Sequence, residues 1–273
     1  MKLAPAGPAP ARSASNRTPF VELKDLSMEY DLTADARLLA LDRVACSIAE
    51  SEFCAIVGPS GCGKSTLLML TAGLYRPSAG RVVIDGTPVT GPWHGVGMVF
   101  QRDLLLEWRT ALDNVLLPIE VKKLPRPAFE DRARSLLRLV GLAGFENAFP
   151  EQLSVGMRQR VAICRALIHD PRLLLMDEPF AAVDLLTREK LGLDLLRLTD
   201  EHPKTVLFVT HSVEEAVLLS DEVLVFGPRP GRILRRLEND LPKPRSLASR
   251  SDVRFHRLVD EIRAVFQAVG VLS

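Results

Sequence analysis

Cysteine is scarce: four stand among 273 residues, at Cys46, Cys54, Cys62 and Cys164, with no CxxC pair and no metal-ligand spacing. That excludes a disulfide scaffold and a zinc ribbon, and leaves the expectation of reduced thiols in a cytosolic protein. A dominant charge is also missing. With 35 Lys and Arg against 34 Asp and Glu, the formal net charge is +1, so no basic field exists to gather a nucleic-acid backbone. No window approaches the roughly 18 uninterrupted apolar residues of a spanning helix. No apolar run near the start has the form of a secretory signal. If a membrane is involved, another chain must cross it. Internal repeats and heptad arrays are absent as well.

What is present is an apolar content of 47%, ample for a large core. Residues 1–19, rich in Ala, Pro, Ser and Gly, read as a disordered tail. From Phe20 the patterns VELKDLSMEYD and LDRVACSIAESEFCAIVG alternate as short strands leading into a buried strand at Cys54 to Val57. A glycine-rich loop follows, then the helical spacing of STLLMLTAGL ending near Gly73, then strand, turn and strand in GRVVIDGTPV.

From about residue 102 to 165 the character becomes helical, with a Pro-punctuated LPRP and the pattern AFEDRARSLLRLVGL, which suggests an inserted helical subdomain. Buried strands are expected at Leu173 to Met176, Thr205 to Thr210 and Glu222 to Phe226, with helices between them, and that alternation implies a mainly parallel sheet. Residues 232–273 are read as a C-terminal extension. Its apolar residues Phe255, Leu258, Val259, Ile262, Val265, Phe266 and Val269 fall at helical spacing, with Ser251 as N-cap and Gly270 as stop. Such a helix either packs on its own domain or serves a partner.

The loop GPSGCGKS, comprising Gly58, Pro59, Ser60, Gly61, Cys62, Gly63, Lys64 and Ser65, satisfies G-x-x-x-x-G-K-[ST] between a strand and a helix. Glycines let successive backbone N–H groups face phosphates, and the helix dipole adds to the field. Lys64 brings a point charge to the β and γ phosphates, Ser65 offers a hydroxyl to Mg2+, and Thr66 continues the helix start beside them. RLLLMDEP, from Arg172 to Pro179, reads as a buried strand delivering two acids: Asp177 for Mg2+ and Glu178, facing away from it, as general base. Between these motifs, Ser154 caps a long helix reaching towards His169, whose start suits an anion.

LSVGM, from Leu153 to Met157, resembles the signature motif of the ATP-binding cassette family. The resemblance spans about Val21 to Gly231 and implies an α/β fold: a P-loop NTPase (RecA-like) core with an antiparallel β subdomain and an inserted α-helical subdomain. The nucleotide-binding domain would run over residues 20–231. Other positions then match in order. Tyr30 resembles the aromatic that stacks on adenine, and Gln101 the glutamine that touches Mg2+ and the attacking water. Ala181 to Asp184 resembles the D-loop, and His211 the switch histidine at the γ-phosphate. The signature departs from Ser-Gly-Gly-Gln in having Val155 before Gly156. Either Val155 is helical, or the phosphate contact is weakened, because a positive φ is costly for valine.

LLLEWRTALDNVLLPIE, from Leu104 to Glu120, and GPRPGRI, from Gly227 to Ile233, resemble segments of importers for nitrate, sulfonate, taurine and pyrimidine precursors. The first departs in having Glu107 where that branch often has Pro. The family implies ATP and Mg2+ as ligands. It also implies a homodimer in which Ser154, Gly156 and Asp184 of one copy complete the site of the other, and a separate membrane permease reached from the cytoplasmic face. A solute-binding protein would act indirectly, and nucleic acid is not expected. Leu104 to Trp108 is the candidate docking groove, with Trp108 equally readable as core. Rival readings are a soluble cassette ATPase acting on nucleic acid and an exporter motor. The first usually brings a coiled coil or two cassettes and the second fused membrane helices, none of which this sequence shows. A P-loop kinase leaves LSVGM and His211 unexplained.

Overall fold

The computed structural model describes residues 18–33, 36–181, 183–201 and 203–271. Most of the tail expected over 1–19, and Ala182 of the D-loop match, lie outside these residues. A six-stranded sheet forms the centre, from β3 (Phe53–Val57), β6 (Val96–Val99), β7 (Leu173–Asp177), β8 (Thr205–Thr210), β9 (Glu222–Phe226) and β10 (Ile233–Glu238). Its order is β10-β9-β3-β8-β7-β6, parallel throughout except for the β9–β10 edge pair. Every residue of β3, β7, β8 and β9 is buried, as near-continuous apolar runs require when both faces are covered.

Alternate residues divide between two cores. Ala55, Leu174, Met176, Phe208 and Val223 enter one, while Ile56, Leu173, Leu175, Val209 and Leu224 enter the other. The second core is closed by α1 (Lys64–Thr71) and by an antiparallel sheet of order β2-β1-β4-β5. That sheet comprises β1 (Pro19–Thr33), β2 (Ala36–Ala49), β4 (Ala79–Ile84) and β5 (Thr87–Pro88). The short strands expected at the start are in fact two long ones. Register shifts near Asp25 and Arg43, both at positive φ, break their alternation without ending the pairing.

The helical portion has its own apolar cluster, reaching from Leu105 to Ile168 and built on α2 (Ala111–Val121), α3 (Pro127–Leu139) and α4 (Val155–Leu167). The first sheet core is covered by α5 (Leu185–Glu201), α6 (Val213–Leu219) and α7 (Val253–Ala268). Phe255, Leu258, Val259, Ile262 and Phe266 of α7 are buried there beside Val217, Leu219 and Leu237. The helix therefore packs on its own domain. A boundary at residue 232 has no counterpart in the packing, because β10 is a strand of the central sheet and α7 shares its core. The N-cap is Asp252, not Ser251: its carboxylate accepts the Arg254 N–H at 2.9 Å, while Ser251 ends a 3-10 turn. Among the described residues no helix is long and apolar enough to cross a membrane, and all four cysteines are unpaired.

Candidate active site

The central sheet ends its parallel strands along one edge, and the site collects there. β3 runs into the loop of Gly58 to Gly63, and α1 begins at Lys64. Gly63 has φ 100°, and a Cβ on it would stand 2.7 Å from Leu41 Cδ2 and 2.8 Å from the Ala40 carbonyl oxygen, so both backbone and space demand glycine. Lys64 is only 4% exposed; its ammonium donates to the carbonyls of Gly58 (2.8 Å) and Pro59 (2.9 Å). The charge is thus held inside the arc of the loop. Burial raises the Cys62 thiol above its ordinary range, so within that arc it is a packing residue rather than a thiolate.

Ser65 donates its hydroxyl to Asp177 Oδ1 at 2.9 Å, joining the first turn of α1 to the end of β7. Burial raises the Asp177 carboxyl above its ordinary value against the pull of that hydrogen bond. The next residue turns away. Glu178 has φ 46°, a left-handed conformation that costs a non-glycine residue roughly 1–2 kcal/mol, and its N–H donates to Val209 at 3.0 Å. Glu178 Oε1 lies 2.6 Å from His211 Nε2, and Oε2 accepts from Gln101 Nε2 at 3.4 Å. Both carboxylate oxygens are thereby fixed, one by the residue after β8 and the other by the loop after β6.

That loop is anchored by the helix of the signature segment. Arg158 Nε donates to Asp103 Oδ2 at 3.0 Å, Arg165 donates to the carbonyls of Asp103 and Leu104, and Gln159 reaches the Phe100 carbonyl. Ser154 caps α4 by accepting the Met157 N–H at 3.2 Å, and Val155 is the first helical residue. The conflict over Val155 resolves in favour of the helix. A Cβ on Gly156 would stand 3.1 Å from Thr187 Cγ2, which puts the signature against the start of α5. Asp184 caps that helix through the Thr187 N–H at 3.1 Å, and this bond lowers its carboxyl below the usual range.

Two groups of expected residues therefore exist. Lys64, Ser65, Gln101, Asp177, Glu178 and His211 meet at the sheet edge. Ser154, Gly156 and Asp184 cluster elsewhere, and among the described residues no direct hydrogen bond or ion pair ties them to Lys64, Glu178 or His211. Tyr30 stands beside the loop's helix: its hydroxyl shares a 3.0 Å hydrogen bond with Thr66, and its ring meets Tyr75 edge-on.

Arg188 and Glu215 escaped the sequence reading. Arg188 donates to the Val183 carbonyl and sets its Nε 3.4 Å from Glu215 Oε1, while Glu215 Oε2 accepts the Thr210 hydroxyl at 2.6 Å. The segment of Val183 and Asp184 is thus linked to the residue preceding His211. Ser212 and Glu215 are spaced as a capping box, yet the Glu215 side chain goes to Thr210 instead of back to the Ser212 N–H. Trp108, 74% exposed, is not core. Leu104 and Val121 are also exposed, and a groove of about 280 Å3 beside α2 is lined by Met98, Leu117, Pro118 and Val121.

A phosphate loop, an acid pair ending a buried strand and a histidine on the acid's far oxygen together define a nucleotide-hydrolysing P-loop protein. The family profile described as ABC transporter matches residues 41–181. A taurine import ATP-binding protein, TauB, from Rhizobium johnstonii is 48% identical over 236 residues, covering 84% of this chain and 89% of that one. An uncharacterised ABC transporter ATP-binding protein from Methanocaldococcus jannaschii is 48% identical over 229 residues, with coverage of 84% and 85%. Among solved structures, a dimeric ATP-binding cassette in a post-hydrolysis state, bound to ADP and phosphate, is 35% identical with a TM-score of 0.72, covering 80% of this chain and 98% of that one. The chain belongs to the ATP-binding cassette transporter family and is an ATPase.

Proposed function

We propose that the chain is the motor subunit of an importer, hydrolysing ATP to energise uptake of a small solute of the taurine, sulfonate, nitrate or pyrimidine-precursor type through a separate permease. The observation that carries the hydrolysis is the Glu178 carboxylate, held at one oxygen by His211 and at the other by Gln101, and the importer reading is supported by the likeness to TauB. In this reading the backbone of Gly58 to Ser65 and the Lys64 ammonium bind the phosphates, and Tyr30 stacks on adenine. Glu178 accepts a proton from the water whose oxygen attacks the γ-phosphorus as the bond to the β-phosphate oxygen breaks, and ADP departs. His211 orients Glu178 and faces the γ-phosphate.

The oxygen donors of Ser65 and Asp177, already 2.9 Å apart, suit Mg2+, and Gln101 would add its side-chain oxygen in this reading. Among the described residues no group of three or more His, Cys, Asp or Glu forms a cage. That fits an ion which takes few protein ligands beside phosphate oxygens and supplies charge neutralisation there.

Ser154, Gly156 and Asp184 stand apart from Lys64, which suits sites shared between two copies related by a twofold axis. The helix start at Ser154 and Gly156 would close on the partner's nucleotide. Two relatives' descriptions bear on this: the solved cassette is dimeric, and TauB is an import protein. The exposed Trp108, Leu104 and the groove beside α2 suit a permease loop, which would hold the chain at the inner face of the membrane; a solute-binding protein acts only through that permease. Glu178→Gln is the test. It should bind ATP with unchanged affinity, accumulate as a dimer and lose nearly all turnover. Normal steady-state hydrolysis would end the general-base assignment, and co-purification with nucleic acid instead of a multispanning permease would end the importer reading.

A further inference from the structure

Gly231, in the segment GPRPGRI between β9 and β10, lies directly beneath the phosphate loop. Its N–H donates to the Ala40 carbonyl at 2.8 Å and its carbonyl accepts the Asp42 N–H at 3.1 Å, a parallel bridge with Leu41. Arg232 reinforces the seat through Nε to Asp42 Oδ2 at 2.9 Å. A Cβ on Gly231 would overlap the Cys62 carbonyl oxygen and stand 3.0 Å from Leu41 Cδ2. Leu41 is the same side chain that leaves no room for a Cβ on Gly63. Gly231 has an ordinary φ, so its backbone suits alanine; the Cys62 carbonyl oxygen of the phosphate loop is the contact that forbids a methyl there, with Leu41 and the Ala40 carbonyl crowding it less severely.

We infer that Gly231 is a positioning residue for nucleotide binding: with Leu41 it forms the floor that sets the height of Cys62 and Gly63, and so the aim of the loop's N–H groups. The inference rests on the ATP-site reading of Gly58 to Ser65. A methyl at Gly231 lifts the Cys62 carbonyl and splays those N–H groups, which act together only when they converge on one phosphate. Gly227 is the control. It lies in the same segment, but a Cβ there meets only the flexible end of Leu234, at 3.1 Å.

The experiment compares full-length Gly231→Ala and Gly227→Ala for ADP affinity by calorimetry, and for KM and kcat with ATP. Gly231→Ala should weaken ADP binding and raise KM by about tenfold or more, with Gly227→Ala within twofold of the parent. A folded Gly231→Ala protein with parental affinity overturns the inference. If that variant does not fold, Arg232→Ala decides, because it loosens the floor without adding atoms. A rise in KM of about threefold supports the floor and an unchanged KM overturns it. Lys64→Ala, run alongside, keeps the two readings distinct. Unchanged affinity there indicts the ATP site itself rather than Gly231.

Discussion

Replacing Ile262 with alanine should destabilise the whole cassette, even though the residue sits in the last helix of the chain. Ile262 is 0% exposed and shares a core with Val217, Leu219 and Leu237, which belong to α6, its C-terminal end and β10. The substitution removes three carbons, worth about 2.4 kcal/mol at roughly 0.8 kcal/mol per buried methylene. The unfilled cavity adds to that, giving about 3–4 kcal/mol within the usual range for such changes. For a chain of this size about 1 kcal/mol corresponds to roughly 2–4 °C, so the melting temperature should fall by roughly 6–16 °C. Far-UV circular dichroism during heating is the assay, with Val253→Ala as the control, since Val253 is 78% exposed and should shift little. A shift comparable to the control, or an early transition of small amplitude ahead of an unchanged main one, would show α7 to be an appended helix and refute the shared-core argument.

Asp177→Asn should raise the melting temperature at neutral pH while abolishing turnover. Burial raises the Asp177 pKa in the fold, so its penalty is absent below the ordinary value of 3.8, develops as the pH rises through the raised value, and is full above it. The stabilisation by asparagine should therefore vanish in acid, and a lower neutral-pH melting temperature would contradict the sign. Glu215→Gln removes the charge facing Arg188 while keeping a partner for Thr210, and should lower kcat on the order of tenfold at unchanged KM by loosening the segment that carries His211. Steady-state kinetics showing the parental kcat would confine Glu215 to a packing role.

The gathering of Lys64, Asp177, Glu178 and His211 at the sheet edge was legible because each part is written locally. Four or five apolar residues leading up to Val57, Asp177 or Thr210, too short for a helix and bounded by turn residues, read as strands buried on both faces, and the residues just after each strand land at one edge. Spacing could not show that Glu178 turns through a left-handed φ, since no glycine or asparagine marks the place. Nor could it show that Asp252, one step after Ser251, is the cap, because both residues suit that role and only the preceding turn decides between them. The lengths of β1 and β2 were hidden by bulges at Asp25 and Arg43. The links from Arg188 to Glu215 and from Gly231 to Leu41 join segments far apart in sequence, which no local pattern records. The expected extension from residue 232 begins with a strand whose own pattern is uninformative. β10 is a short edge strand, ILRRLE, mostly exposed, and reads as extension until its antiparallel partner β9 is known.

Val155 changes the spelling of the signature without changing its backbone. A β-branched residue in a phosphate-binding turn signals trouble only if the turn requires a positive φ there, and this one does not: Ser154 is the extended N-cap and Val155 already belongs to the helix. The position that does lack room is Gly156, where a Cβ would press on Thr187 of α5. The two residues therefore answer to different constraints. Val155 is exposed, and α4 begins with ordinary helical geometry there, its Met157 N–H capped by Ser154. Gly156 instead sets how closely that turn approaches the D-loop segment, and through Arg188 and Glu215 the same segment reaches the residue before His211. The contacts that join α4 to the end of β8 thus begin at the smaller residue, Gly156 against Thr187, rather than at the valine that breaks the expected spelling.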